Sequence, residues 1–85
     1  MNKKMDTMRG IKNYIIGYID TYLENDDELA IMNEEKFRRI QKDEQALNNI
    51  ATLVINNEVL KSYEDVDTYY YELQYWIDKY LNEAK

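Results

Sequence analysis

The ten residues "TLVINNEVLK" (Thr52–Lys61) decide the fold, because their pattern supports two structures. Two apolar, partly β-branched runs separated by Asn56-Asn57 describe a β-hairpin with a two-residue turn. The same residues also extend a helical pattern, in which Phe37, Ile40, Leu47, Ala51 and Val54 line one side. A hairpin pairing with "LAIM" (Leu29–Met32) would make the fold α+β, with the hairpin around residues 52-60. The long periodicity from Phe37 through Val54 favours the other reading, an all-α, small three- to four-helix bundle. Asn56-Asn57 is then a turn between helices.

Working outward from that stretch, the preceding helix can start at Asn33, whose side chain can cap free amides while Glu34 and Glu35 sit in the positive first turn. Glu44 falls on its apolar side, so a bend or break is expected near Gln41–Glu44. The last helix is expected to begin between Ser62 and Asp67, where "SYED" offers a capping-box pattern. At the other end, Met8, Ile11, Ile15, Tyr18, Ile19 and Tyr22 recur on one face and predict a helix from Thr7 to Glu24. Between these helices, "DELAIM" reads as a short helical turn capped by Asp26 or Asp27, or as a short strand. No proline, Gly/Ser linker or internal repeat interrupts the 85 residues, so one small domain spanning 1–85 is expected.

Composition narrows the function classes. Seventeen carboxylates against eleven Lys and Arg give a formal net charge of −6, with no histidine. Direct binding to a phosphate backbone is disfavoured, since that needs a clustered positive surface. The absence of cysteine removes disulfides, thiolate metal sites and thiol nucleophiles, and points to a cytoplasmic setting. The N-terminal segment has neither signal-peptide nor membrane-span character, because Asp6 and Arg9 interrupt it. Codon-driven abundance of Asn, Ile, Lys and Tyr points to a low-GC bacterium or one of its mobile elements.

Catalytic constellations are lacking. The single serine, Ser62, has no histidine to activate it, and Gly10 and Gly17 lie inside a predicted helix rather than in a phosphate loop. "ENDDE" (Glu24–Glu28) lacks the central glycine and distal glutamate of an EF-hand loop. The chain is therefore read as no enzyme, with no cofactor and no metal.

Three other features stand out. Lys36, Arg38, Arg39 and Lys42 form a basic cluster that the i,i+4 pairs Glu34 with Arg38 and Glu35 with Arg39 would neutralise. Gly10 and Gly17 each cost about 1 kcal/mol relative to alanine in a helix. They lie on one side of the first helix, as a close helix approach within the domain or across a homodimer would require.

The third feature is the aromatic C-terminal helix. At 100° per residue, Tyr69, Tyr70, Leu73, Trp76, Ile77, Tyr80 and Leu81 share an arc of roughly 140°, which is a core face. Tyr71 and Tyr75 do not belong to it. They project to the far side with Glu64, Asp67, Asp78 and Asn82. Tyrosine is enriched at binding hot spots and carboxylates steer a basic partner, so this far face is the candidate protein-binding surface. The acidic turn with Asp26, Asp27 and Glu28 extends it.

In size, acidity, helicity and lack of catalytic residues, the chain resembles phage-encoded nucleic-acid mimics, including anti-CRISPR inhibitors and anti-restriction proteins. The resemblance is one of class; no motif carries it. It implies a small inhibitor that competes for a basic, nucleic-acid-binding protein partner. Bacteriocin-immunity or antitoxin-like helical bundles are similar in size and cysteine content, and a self-associating structural or regulatory subunit is the third reading.

Overall fold

The computed structural model describes residues 7–25 and 28–83. Five helices follow one another: α1 (Met8–Glu24), α2 (Glu28–Lys42), α3 (Glu44–Ile55), the single turn α4 (Glu58–Lys61) and α5 (Val66–Glu83). No strand occurs among the described residues, so the bundle is all-α.

The α+β alternative fails at Asn56-Asn57 for a backbone reason. A hairpin turn of type I′ requires positive φ at both central residues, and here φ is −88° at Asn56 and −71° at Asn57. Asn56 instead closes α3, donating its backbone N–H to the Thr52 carbonyl. Asn57 opens α4, its Oδ1 accepting from the Leu60 N–H at 2.8 Å. The Asn57 Nδ2 also donates to the Tyr80 hydroxyl at 2.7 Å, which ties this turn to α5. A buried asparagine satisfied on both sides of its amide suits a helix-to-helix corner.

The expected break near Gln41–Glu44 occurs at Asp43. Its backbone is extended (φ −99°, ψ 103°), and its carboxylate accepts from the Gln45 and Ala46 N–H groups at 3.0 and 3.1 Å. Restarting the helix here turns Glu44 out of the apolar side and lets it pair with Lys12 of α1 at 2.8 Å. Removing the cap with Asp43→Ala is expected to cost about 1 kcal/mol. A urea midpoint unchanged by that substitution would show that the two amides find other acceptors.

Other boundaries need correction. Asn33 lies inside α2, which already begins at Glu28, so "ELAIM" forms its first turns rather than a strand or a separate helical turn. These residues include good helix formers, with no glycine or proline before Asn33 to stop the helix. α5 begins at Val66, inside the expected Ser62–Asp67 window, but Ser62 is not its cap. The Ser62 hydroxyl donates to the Val59 carbonyl at the end of α4, whereas Asp65 accepts from the Thr68 N–H and hydroxyl at 2.9 and 2.8 Å. The first helix begins as its sequence predicts, with Thr7 Oγ1 accepting from the Gly10 N–H.

α3 is the central element, packed against α1, α2 and α5. Its Leu47, Ile50, Ala51 and Val54 meet Ile11, Ile15 and Ile19 of α1 and Phe37 and Ile40 of α2 in one buried cluster. Leu60 of α4 joins it, as do Tyr69, Leu73, Ile77 and Leu81 of α5. The predicted core arc of α5 is thus buried along its middle, while Tyr70, Trp76 and Tyr80 pack half-buried along its margins. Met8 is more exposed than its position on the α1 apolar face suggests.

Two members of the basic cluster pair with carboxylates, one of them with a partner other than the expected one. Arg39 does pair with Glu35, at 3.3 Å on the surface. Arg38 turns away from Glu34 and donates to Asp20 of α1 at 2.7 Å and to Gln41 at 3.0 Å. Gln41 also donates to Asp20 and to the Ile16 carbonyl, both at 2.9 Å, so a polar clamp fastens α2 to α1. Hydrogen bonds from Gln41 and Arg38 hold the Asp20 carboxyl below its ordinary 3.8. A depressed folded-state value means that this clamp stabilises the fold above the unfolded-state value. Its contribution is lost as pH falls through the folded-state value. The difference in urea midpoint between wild type and Asp20→Ala should be steady above about pH 5 and shrink below 3.8. A difference that persists unchanged at the acid end would contradict this.

Candidate functional site

On the far side of α5, Tyr71 and Tyr75 are 74% and 58% exposed, the two large rings of this helix with no place in the core. They stand one helical turn apart, with Asp78 less than a turn beyond Tyr75. Their surroundings come from α1 as well as α5. Because α1 and α5 both pack on α3, the sides they leave uncovered border a common open cleft.

One part of this cleft, with a volume of about 440 Å³, is lined by Tyr18 and Tyr22 from α1 and by Tyr71, Glu72, Gln74, Tyr75 and Asp78 from α5. A second part of about 520 Å³ continues along α1 past Tyr14, Gly17, Thr21 and Asn25, sharing Tyr18, Tyr22 and Gln74. Among the described residues, no lysine or arginine lines either part. Glu72 and Asp78 form no ion pair among the described residues.

The aromatic walls are held from behind. Tyr18 stacks nearly parallel on Tyr22 at 6.1 Å, and Tyr22 tilts against the buried Phe37 at 5.5 Å. Tyr14 stacks on Tyr70 at 5.8 Å and so links α1 to α5. On the other wall, Tyr75 meets the Trp76 ring edge-on at 5.4 Å, and the Lys79 ammonium lies 5.3 Å from the centre of that indole. Rings fixed in this way lose little conformational freedom on binding. Burial first, then the charge of Asp78 and the neighbouring Tyr22 and Tyr14, push the Tyr18 hydroxyl up to about 12.

Of the residues read from the sequence as partner-binding, the fold brings Tyr71, Tyr75 and Asp78 together at the cleft. Glu64, Asp67 and Asn82 are exposed but do not line it. Asn82 is committed elsewhere, donating its amide to the Asp78 carbonyl and accepting from the Lys36 ammonium on its own carbonyl. Asp26 and Asp27 lie outside the described residues, as does the Glu28 side chain; Glu28 itself begins α2.

Tyr14, Tyr18, Tyr22 and Gln74 were not in that set. The signal for the first three was present: a row at four-residue intervals runs beside the Ile11, Ile15, Ile19 row. Tyr18 and Tyr22 read as core because a residue at the edge of an apolar arc serves core and cleft at once. At Gly17 an added Cβ would meet nothing within 4 Å, so no close helix approach within the domain explains it.

Among the described residues, no group of three or more His, Cys, Asp or Glu side chains could hold a metal ion. No described helix is long and apolar enough to cross a membrane. Comparison with protein-family models, curated proteins and solved structures finds no match.

Proposed function

We propose that this chain is a small, acidic, non-catalytic interaction protein that binds a basic, nucleic-acid-binding protein and inhibits or adapts it. Its carboxylates stand where the partner expects phosphates, as in phage anti-CRISPR or anti-restriction proteins, and competition for a Lys/Arg-lined groove is the mechanism. The observation that carries this reading is the exposure of Tyr71 and Tyr75 at a cleft that Glu72 and Asp78 line and to which no basic side chain among the described residues contributes. Exposed tyrosines anchor interfaces through large, amphipathic contact area, and the net charge of −6 accelerates encounter with a positive surface.

The test is capture from a bacterial host lysate on immobilised protein, washed at rising salt and challenged with DNA or RNA. A basic nucleic-acid-binding protein should be recovered, lost steeply with salt, and displaced by the competing nucleic acid. Retention of the captured protein whatever the nucleic-acid concentration would sink the mimicry mechanism.

A further inference from the structure

We infer that the α1/α5 cleft is a receptor for an arginine side chain of the protein partner, with the guanidinium stacked on tyrosine and facing Asp78. The inference rests on the reading of this cleft as a protein-binding site and assigns the chemistry it recognises.

Three observations converge on a planar cation. First, Tyr18 and Tyr22 on one wall and Tyr71 and Tyr75 on the other supply aromatic surface to a single cleft. The face of a phenol ring carries the negative end of its quadrupole, so such walls attract a cation and do not attract an anion. Second, the carboxylates of Glu72 and Asp78 line the same space and have no internal counter-ion among the described residues. Asp20 and Glu44 are by contrast already bound to Arg38 and Lys12. Third, Asp78 lies near enough to Tyr18 for its charge, after burial as the larger cause, to disfavour ionisation of that hydroxyl, which sets a carboxylate beside the α1 wall of the cleft.

Arginine fits these features better than lysine. Its guanidinium is flat, weakly hydrated and able to stack on a ring while donating two parallel hydrogen bonds to a carboxylate. A lysine ammonium is a compact, strongly hydrated charge that would give up more water to enter an aromatic cleft. Gln74, at the junction of the two parts of the cleft, offers a neutral acceptor beside the carboxylates.

The test uses isolated, folded protein and two small probes, N-acetyl-arginine amide and N-acetyl-lysine amide, followed by two-dimensional amide NMR. The arginine probe should give saturable shifts confined to residues 14–25 and 71–78, with an affinity about fivefold to tenfold above that of the lysine probe. Asp78→Asn should weaken the arginine probe by a similar factor. Glu58→Gln, an equal change of charge on α4 outside the cleft, should leave it unaltered, and both spectra should keep the dispersion of the folded chain.

Non-saturating shifts, equal response to the two probes, or equal loss with Glu58→Gln would overturn the inference by showing general electrostatic attraction. Failure of the lysate capture with a positive arginine titration would remove the mimicry mechanism and leave the receptor standing. Nucleic-acid-displaceable capture with no arginine response would do the reverse.

Discussion

Phe37→Ala is expected to cost about 3–5 kcal/mol of folding stability. Phe37 is completely buried, and it is the one phenylalanine of the chain. Its ring meets Tyr22 across the α1/α2 contact, and among the described residues of α2 it shares the buried cluster with Ile40 alone. Truncation would leave a cavity under Tyr22 that neighbouring aliphatic residues cannot fill. An 85-residue domain has a total stability of about 4–13 kcal/mol, so the loss is a large part of the whole. The melting temperature should fall by about 12 °C or more. Phe37→Leu, which keeps most of the volume, should cost less than about 1.5 kcal/mol. A fall of only a few degrees for Phe37→Ala would mean that α2 is not packed as described.

The second large effect is on binding and should be almost invisible in stability. Replacing both Tyr71 and Tyr75 by alanine removes rings that are more than half exposed, so little buried area is lost. The edge contact of Tyr75 with Trp76 is the main internal interaction given up, and such pairs contribute about 0.5–1.5 kcal/mol. Affinity for the partner, however, should fall about 30-fold or more, the loss expected when an interface hot spot of about 2 kcal/mol is removed. Calorimetric melting and a binding isotherm on the same preparation separate the two effects. Unfolding without a specific loss of binding would assign these rings to the core after all.

The fold was largely legible because its signals were periodic. The isoleucine row and extent of α1 and the core arc of α5 follow from residue spacing alone. What spacing does not carry is the choice between two uses of the same residue type. Asn33 and Asn57 both look like caps, yet only Asn57 follows a completed helix and finds both Leu60 and Tyr80 within reach. Arg38 has a good local partner in Glu34 and takes a distant one, because Asp20 and Gln41 together form a stronger set of acceptors.

The candidate site was half legible for a related reason. The angular position of Tyr71 and Tyr75 on α5 already separates them from the core, and their exposure follows. Which helix would face them is a question of tertiary packing. α1 supplies Tyr18 and Tyr22 to the same cleft only because α3 lies between and beneath the two helices. Asp67 sits in the first turn of α5 and Glu64 precedes the helix, so neither lines that cleft.

Hydroxyl-radical footprinting of the chain, alone and saturated with the captured partner, tests most directly whether this cleft is the binding surface. Tyrosine and methionine are both readily oxidised, and Met32 on α2 is 76% exposed, so it serves as an internal reference away from the cleft. Binding at the cleft predicts strong protection of Tyr71 and Tyr75 with Met32 oxidised at its original rate. Protection of Met32 with Tyr71 and Tyr75 left as reactive as in the free protein would contradict it.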